Sequence, residues 1–324
     1  MKSFAADDVG RKARHDHGDG RRNRLVTVST TGAGVANPFR RVTSPLTPEA
    51  LVELPPDCEG IAFSQPLAED DYRQLAELFE RQPDKRLLAS QLESAPPQCA
   101  ITDLGFLRFF PKLHRFASTL PLLQTLEGIQ YLQRATDVTI FKAQHLMSAA
   151  PLAALTNLDY LWLDGHFTER ESLRQLTGVT YFRMGYAGKI PDLSFLPPNL
   201  TRFSMALGSV TDISALTDLP HLNDLSFHKV HSIADLSPLA GVTGLCSLYL
   251  AYLNKVTALF DMSALTELTE LTVSMLTHLT DLRPVLTAPN LTTLSVYGLP
   301  ALQPGSWHET CTGWLAQGKP PFWE

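Results

Sequence analysis

The chain has 324 residues, 44% of them hydrophobic, with a net charge of −6 and a pI near 5.9. That acidic balance gives no electrostatic footing for nucleic acid, and no run reaches the roughly 18 apolar residues that a membrane-spanning helix needs. The four cysteines (Cys58, Cys99, Cys246, Cys311) are widely spaced and form no CxxC pair, which argues against a zinc knuckle or a disulfide framework and for thiols in a reducing compartment.

In chain order, residues 1–58 read as a flexible leader. Met1–Arg24 is rich in Asp, Arg, Gly and His, and Thr43–Pro56 carries Pro45, Pro48, Pro55 and Pro56. Such composition buries too little apolar area to offset chain entropy. His15 and His17 read as solvated rather than metal-bound. Residues 59–109 read as an N-terminal cap with degenerate repeats. Ile61–Phe63 and Arg86–Leu88 are predicted strands. Leu67–Arg81 is a predicted amphipathic helix with Leu67, Tyr72, Leu75, Leu78 and Phe79 on one side. A cap is needed because the first coil of a stack has no neighbour over its core edge.

Residues 110–302 repeat the pattern apolar-x-x-apolar-x-x-apolar-x-apolar. Its last two apolar positions are Val138/Ile140, Leu161/Leu163, Phe182/Met184, Phe203/Met205, Leu225/Phe227, Leu248/Leu250, Leu271/Val273 and Leu294/Val296, with a degenerate Phe116/Ser118 before them. Successive copies lie 21 to 23 residues apart, and a period of 20–29 residues marks leucine-rich coils. The alternation in each copy predicts a half-buried strand. The returning half of the coil has its own signature, D-apolar-x-x-L, beginning at Asp103, Asp192, Asp212, Asp235 and Asp261, with a weaker copy at Asp281. An Asp before a short apolar turn caps it by accepting backbone N–H bonds. Spread along a stack, these aspartates do not converge on one reacting atom, so capping is preferred to acid–base chemistry. Residues 303–324 read as a C-terminal cap. There Ser306-Trp-His-Glu309 matches a capping box, Gly318 is a helix stop, and Trp307, Cys311, Trp314 and Leu315 are expected on one face, with Trp323 closing the chain.

The strand motif together with D-[IL]-S-x-L resembles the 22-residue leucine-rich repeat class of bacterial internalins and of the leucine-rich regulatory subunit of protein phosphatase 1. The clearest stretches are Leu200–Leu225 and Leu236–Leu250, and the resemblance covers roughly Phe110–Leu302. It implies an α/β solenoid: a leucine-rich repeat arc with a parallel β-sheet on the concave face and short helices or 3-10 turns on the convex side. One position departs from the family. Three residues past the last strand residue the family usually places Asn or Cys; this chain has Ala143, His166, Ala187, Gly208, Val230, Leu253, Leu276 and Leu299. Those turns are therefore expected to satisfy their backbone with water or neighbouring backbone.

The outward residues of the strands are the expected binding surface. Tyr160, Trp162, Asp164, Tyr181, Arg183, Tyr186 and Arg202 concentrate in the middle repeats, and His228, Tyr249 and Tyr252, with Lys229 and Tyr297, extend toward the C-terminus. Tyr, Trp and Arg dominate interface hot spots because each buries much area and keeps a polar handle. The competing reading is that Trp162 merely lies on Tyr181 and Arg183. His228 and His231 have metal-like spacing but no third ligand nearby. No P-loop, GxSxG, HExxH or GxGxxG occurs, and neither Cys58 nor Cys311 has a motif-like His/Asp partner.

The reading is thus a non-enzymatic module that binds a protein partner on the concave face, without cofactor or metal, as a cytoplasmic monomer. The alternatives are a secreted bacterial effector or a regulatory or inhibitory subunit acting on an enzyme. Ubiquitin-ligase-type activity is disfavoured, since about 20 residues after the repeats are too few for a catalytic fold.

Overall fold

The computed structural model of the protein describes residues 38–322. They build one sheet from β1 Phe39–Val42, β2 Gly60–Phe63, β3 Arg86–Ser90, β4 Arg115–Thr119, β5 Asp137–Ser148, β6 Tyr160–Thr168, β7 Tyr181–Ile190, β8 Arg202–Val210, β9 Asp224–His228, β10 Ser247–Ala251, β11 Glu270–Ser274 and β12 Thr293–Tyr297. Spatial order equals chain order, and every pairing is parallel. The chain advances one strand per coil, so the fold is a leucine-rich repeat solenoid.

Alternation within each strand sets which side faces the core. In β9, Leu225 and Phe227 are fully buried while Asp224, Ser226 and His228 stay half-exposed. Equivalent inward residues stack from coil to coil, as in Phe182 on Phe203 at 5.9 Å and Phe203 on Phe227 at 6.3 Å between ring centres. On the return path the chain forms short 3-10 turns such as Ser214–Asp218, Ser237–Gly241 and Arg283–Thr287. Asp103, Asp192, Asp212, Asp235, Asp261 and Asp281 each accept the N–H two residues on, at 2.8–2.9 Å. These bonds favour the carboxylate form and hold Asp212, Asp235 and Asp261 below their ordinary range, while at Asp192 the Ser194 hydroxyl does so first and the backbone bond second.

The start of order differs from the sequence expectation. The sheet begins at Phe39, not near Gly60, with β1 in register on β2 from Phe39↔Gly60 to Val42↔Phe63. A 3-10 turn at Pro48–Leu51 returns the chain, so residues 38–58 make a further coil. Its prolines sit outside the strand, where they cost no ladder bond. Long-range polar contacts fix it. Asp71 accepts the Leu46 N–H, Gln82 bonds both the N–H and C=O of Leu54, and Lys85 donates to the carbonyls of Pro55 and Cys58. Asp71 lies in the first turn of the amphipathic helix α1 Glu69–Arg81 and Gln82 is its C-cap, and the helix buries Tyr72, Leu75, Leu78 and Phe79. The rest of the expected leader, with His15 and His17, lies outside the described residues, as does Trp323.

At the sixth position of each later coil, inside the longer strands β5–β8 and just past β9–β12, the chain turns through a residue in the left-handed region. Lys142, Tyr186, Leu207, Lys229, Tyr252 and Met275 have φ of 50–57°, and Gly165 and Gly298 occupy the same place. A side chain there costs about 1–2 kcal/mol, so stacking must impose it. The N–H groups of Lys229, Tyr252 and Met275 donate to Ala251, Ser274 and Tyr297 of the following coil. Neighbouring backbone thus does the work of the missing asparagines, while Val230, Leu253 and Leu276 are buried in the core. On the other side of the strands a second ladder forms. His114, Thr180 and Thr269 each accept two successive N–H groups of the next coil, and Asn157, Asn199 and Asn290 donate side-chain bonds to preceding carbonyls.

The C-terminal helix α2, Pro304–Ala316, closes the stack. Ser306 does not cap it. Its hydroxyl donates to Asp281 Oδ1 and accepts the Leu282 N–H, both at 2.8 Å. Trp314 is fully buried and donates from Nε1 to the Pro320 carbonyl. Leu315, expected beside it, is 48% exposed, because one residue turns a helix by about 100°. Gly318 ends the helix at φ 74°, as expected.

Candidate functional site

Outward side chains form three columns, at the first, third and fifth strand positions. The parallel register aligns Tyr160, Tyr181, Arg202 and Asp224 in the first column and Trp162, Arg183, Ser204 and Ser226 in the second. The third runs Asp164, Gly185, Ala206, His228, Ala251 and Ser274. At the N-terminal end the face is apolar: Ala62, Leu88 and Ala117 cluster with Phe39.

Trp162 is the centre of the middle group. Phe141 meets its ring edge-on at 5.2 Å, and the Arg183 guanidinium lies 4.1 Å from the ring centre. Its Nε1 donates to Asp164 Oδ1 at 2.7 Å. Asp164 is only 4% exposed, and Gly185 makes room for it, since a Cβ at Gly185 would fall 2.1 Å from that oxygen. Burial pushes the Asp164 carboxyl up to about 6, against the opposing pull of the Trp162 bond and Arg183. Tyr160 and Tyr181 meet edge-to-face at 5.0 Å, and burial holds the Tyr160 hydroxyl above its ordinary range. Arg202 lies 5.1 Å from the Tyr181 ring centre and pairs with Asp224 at 3.1 Å.

A second group lies toward the C-terminus. His228 stacks with Tyr249 at 6.4 Å and meets Tyr252 at 5.2 Å, and Lys229 Nζ sits 4.9 Å from the Tyr252 ring centre. Burial, then the Lys229 charge, pushes His228 down, and burial with Tyr297 pushes Tyr249 up to about 12. His228 Nε2 and Ser274 Oγ are buried without a hydrogen-bond partner. Trp162 and Tyr249 share a column four strands apart, about 19 Å. Small residues (Gly185, Ser204, Ala206, Ser226) fill the floor between the groups.

Eight of the ten expected positions therefore lie in the three columns, in two groups, and the other two, Tyr186 and Tyr252, stand at the corner one residue past the fifth position. Both are left-handed corner residues, and Tyr186 is 53% exposed. Phe141 was not among the expected site residues, though its fifth-position place in β5 identifies it. Among the described residues no group of three or more His, Cys, Asp or Glu side chains could hold a metal ion, and no helix is long and apolar enough to cross a membrane.

No protein-family model matches the chain, and no curated protein matches it. Solved structures do. An internalin (inlF) from Listeria monocytogenes strain 4b F2365 is 20% identical, covering 72% of this chain and 77% of its own, with a TM-score of 0.43. Internalin C2 of the same strain is 22% identical over 57% of this chain and 84% of its own, at 0.36. The functional domain of InlJ from Listeria monocytogenes is 16% identical over 76% of this chain and 56% of its own, at 0.45.

Proposed function

We propose that the chain is a non-enzymatic protein-recognition module whose contact surface is the outer face of the sheet, centred on Trp162. The observation that carries this reading is the Phe141–Trp162–Arg183 stack. It is a large, half-exposed aromatic and cationic surface, held by neighbours on three adjacent strands. Residues already locked by packing lose little rotamer entropy on binding, which favours affinity. The four cysteines are free, which suits the cytoplasm.

The test is affinity capture from the native host with the whole chain as bait. Trp162→Ala and Arg183→Ala should each lose the captured protein at least tenfold, with thermal unfolding midpoints within a few degrees of the parent. Undiminished capture by both variants rejects the surface.

A further inference from the structure

The molecule segregates its charge. Residues 138–148, 182–191, 203–211, 225–234, 248–259 and 271–280 leave the outer face of successive coils and contain no Asp or Glu. Residues 161–168 contain only the buried Asp164. The same segments carry Lys142, Lys189, Lys229 and Lys255, with Arg183 just inside them on the face. Among the described residues none of these five forms an ion pair, whereas Arg86, Arg115 and Arg202 on the same sheet all do. Most carboxylates lie elsewhere, on the return turns at Asp192, Asp212, Asp235 and Asp261 and at the first strand position in Asp224 and Glu270, while Glu169 ends the β6 segment and Glu93 reaches Gln144 of β5 at 2.8 Å. A chain of net charge −6 thus presents a cationic margin beside its candidate face, with Lys142 and Lys229 at the sixth position of their coils and Lys189 and Lys255 three residues further on.

This margin has a length and a chemistry. From Lys142 beside β5 to Lys255 beside β10 it spans five strand spacings, about 24 Å. Exposed Tyr186 and half-buried Tyr252 stand between the lysines. Unneutralised like charges repel one another, and an opposing row of carboxylates relieves this while steering encounter. A nucleic-acid duplex suits the place less well, because the acidic positions at Asp224 and Glu270 bound this margin on the far side of the face and would repel a wide polyanion.

We propose that the partner presents an acidic protein segment, and that its carboxylates dock along Lys142, Lys189, Lys229 and Lys255, with Arg183 the inner end of the contact. This rests on the recognition-face reading above and names the chemistry of what that face takes.

Fluorescence anisotropy of the whole chain with labelled acetyl-hexaglutamate amide, its hexaglutamine counterpart and a 20-base-pair DNA duplex tests it. Hexaglutamate should bind, weaken as salt is raised, and weaken at least fivefold in the Lys189→Glu/Lys229→Glu variant. Arg134→Glu, an exposed cation on the return path, should change binding less than twofold. Hexaglutamine should not bind. No hexaglutamate binding, equal binding by the charge-reversed variant, or tighter binding of DNA than of hexaglutamate overturns the proposal. Thermal unfolding checks that the variant is folded, and Lys189→Gln/Lys229→Gln repeats the measurement if it is not. Capture that survives charge reversal but is lost in Trp162→Ala rejects the acidic segment and leaves the recognition face standing. Capture indifferent to Trp162→Ala rejects the face itself.

Discussion

Asp164 is a carboxylate held on the outer side of a sheet with almost no water, against a single indole N–H. Its carboxyl, pushed up to about 6 from an ordinary 3.8, takes a proton in the folded state before it does in the unfolded chain. The folded state then binds more protons between about pH 4 and 6, so this group's contribution to stability falls as pH rises through that window. Asp164→Asn keeps an oxygen for Trp162 and removes the buried charge. It should raise stability at pH 7 by on the order of 2 kcal/mol and flatten the pH 4–6 slope. Equal stability of parent and variant across that range would refute the account. Backbone conformation makes the second residue-scale prediction. Lys142 at φ 57° is exposed, so Lys142→Gly should leave stability within about 1 kcal/mol of the parent, strain relief offsetting chain entropy. Gly165 sits at φ 144°, where a Cβ would fall 2.5 Å from the Ala143 carbonyl oxygen. Gly165→Ala should cost at least about 2 kcal/mol in chemical denaturation, and a neutral result would contradict the turn geometry.

Helix α2 shows how a local pattern misleads at the scale of an element. Ser306-x-x-Glu309 has capping-box spacing, yet the helix begins at Pro304 and Ser306 lies inside it. The hydroxyl instead serves the preceding coil at Asp281 and Leu282. Ser306→Ala should therefore cost about 1–3 kcal/mol, the cost of leaving the buried Leu282 N–H unpaired. A loss under about 0.5 kcal/mol would mean that water replaces the hydroxyl. The return-turn aspartates were legible because their partner is two residues away. The Leu282 partner is 24 residues away and left no signal in the local pattern. The coil at residues 38–58 was missed for a related reason. Its prolines look like a leader, and the bonds from Asp71, Gln82 and Lys85 that hold it come from beyond the segment.

Across the whole molecule each coil packs chiefly on its two neighbours, so stability is a sum of local terms. Trp314→Ala, which removes a fully buried ring from the closing helix, should speed amide hydrogen exchange in β11, β12 and α2 while leaving β5–β7 near parent rates. Uniform acceleration would show one cooperative unit instead. The same one-dimensional build explains the candidate site. Register brings residues 21 to 23 apart in sequence into one column, so the period alone puts Trp162 beside Arg183 and Tyr160 beside Tyr181. The period alone does not show where the chain turns out of the columns, and Tyr186 and Tyr252 stand at that corner.

What the sequence determined by itself was the solenoid: the leucine period sets strand, turn and order, because each coil can bury its apolar edge only against the next. What the tertiary structure decided was which outward side chains meet, how Asp164 came to be dry, where order begins and what α2 holds. Those outcomes depend on contacts between residues far apart in the chain, and burial and hydrogen-bond partnership arise only once the coils are stacked.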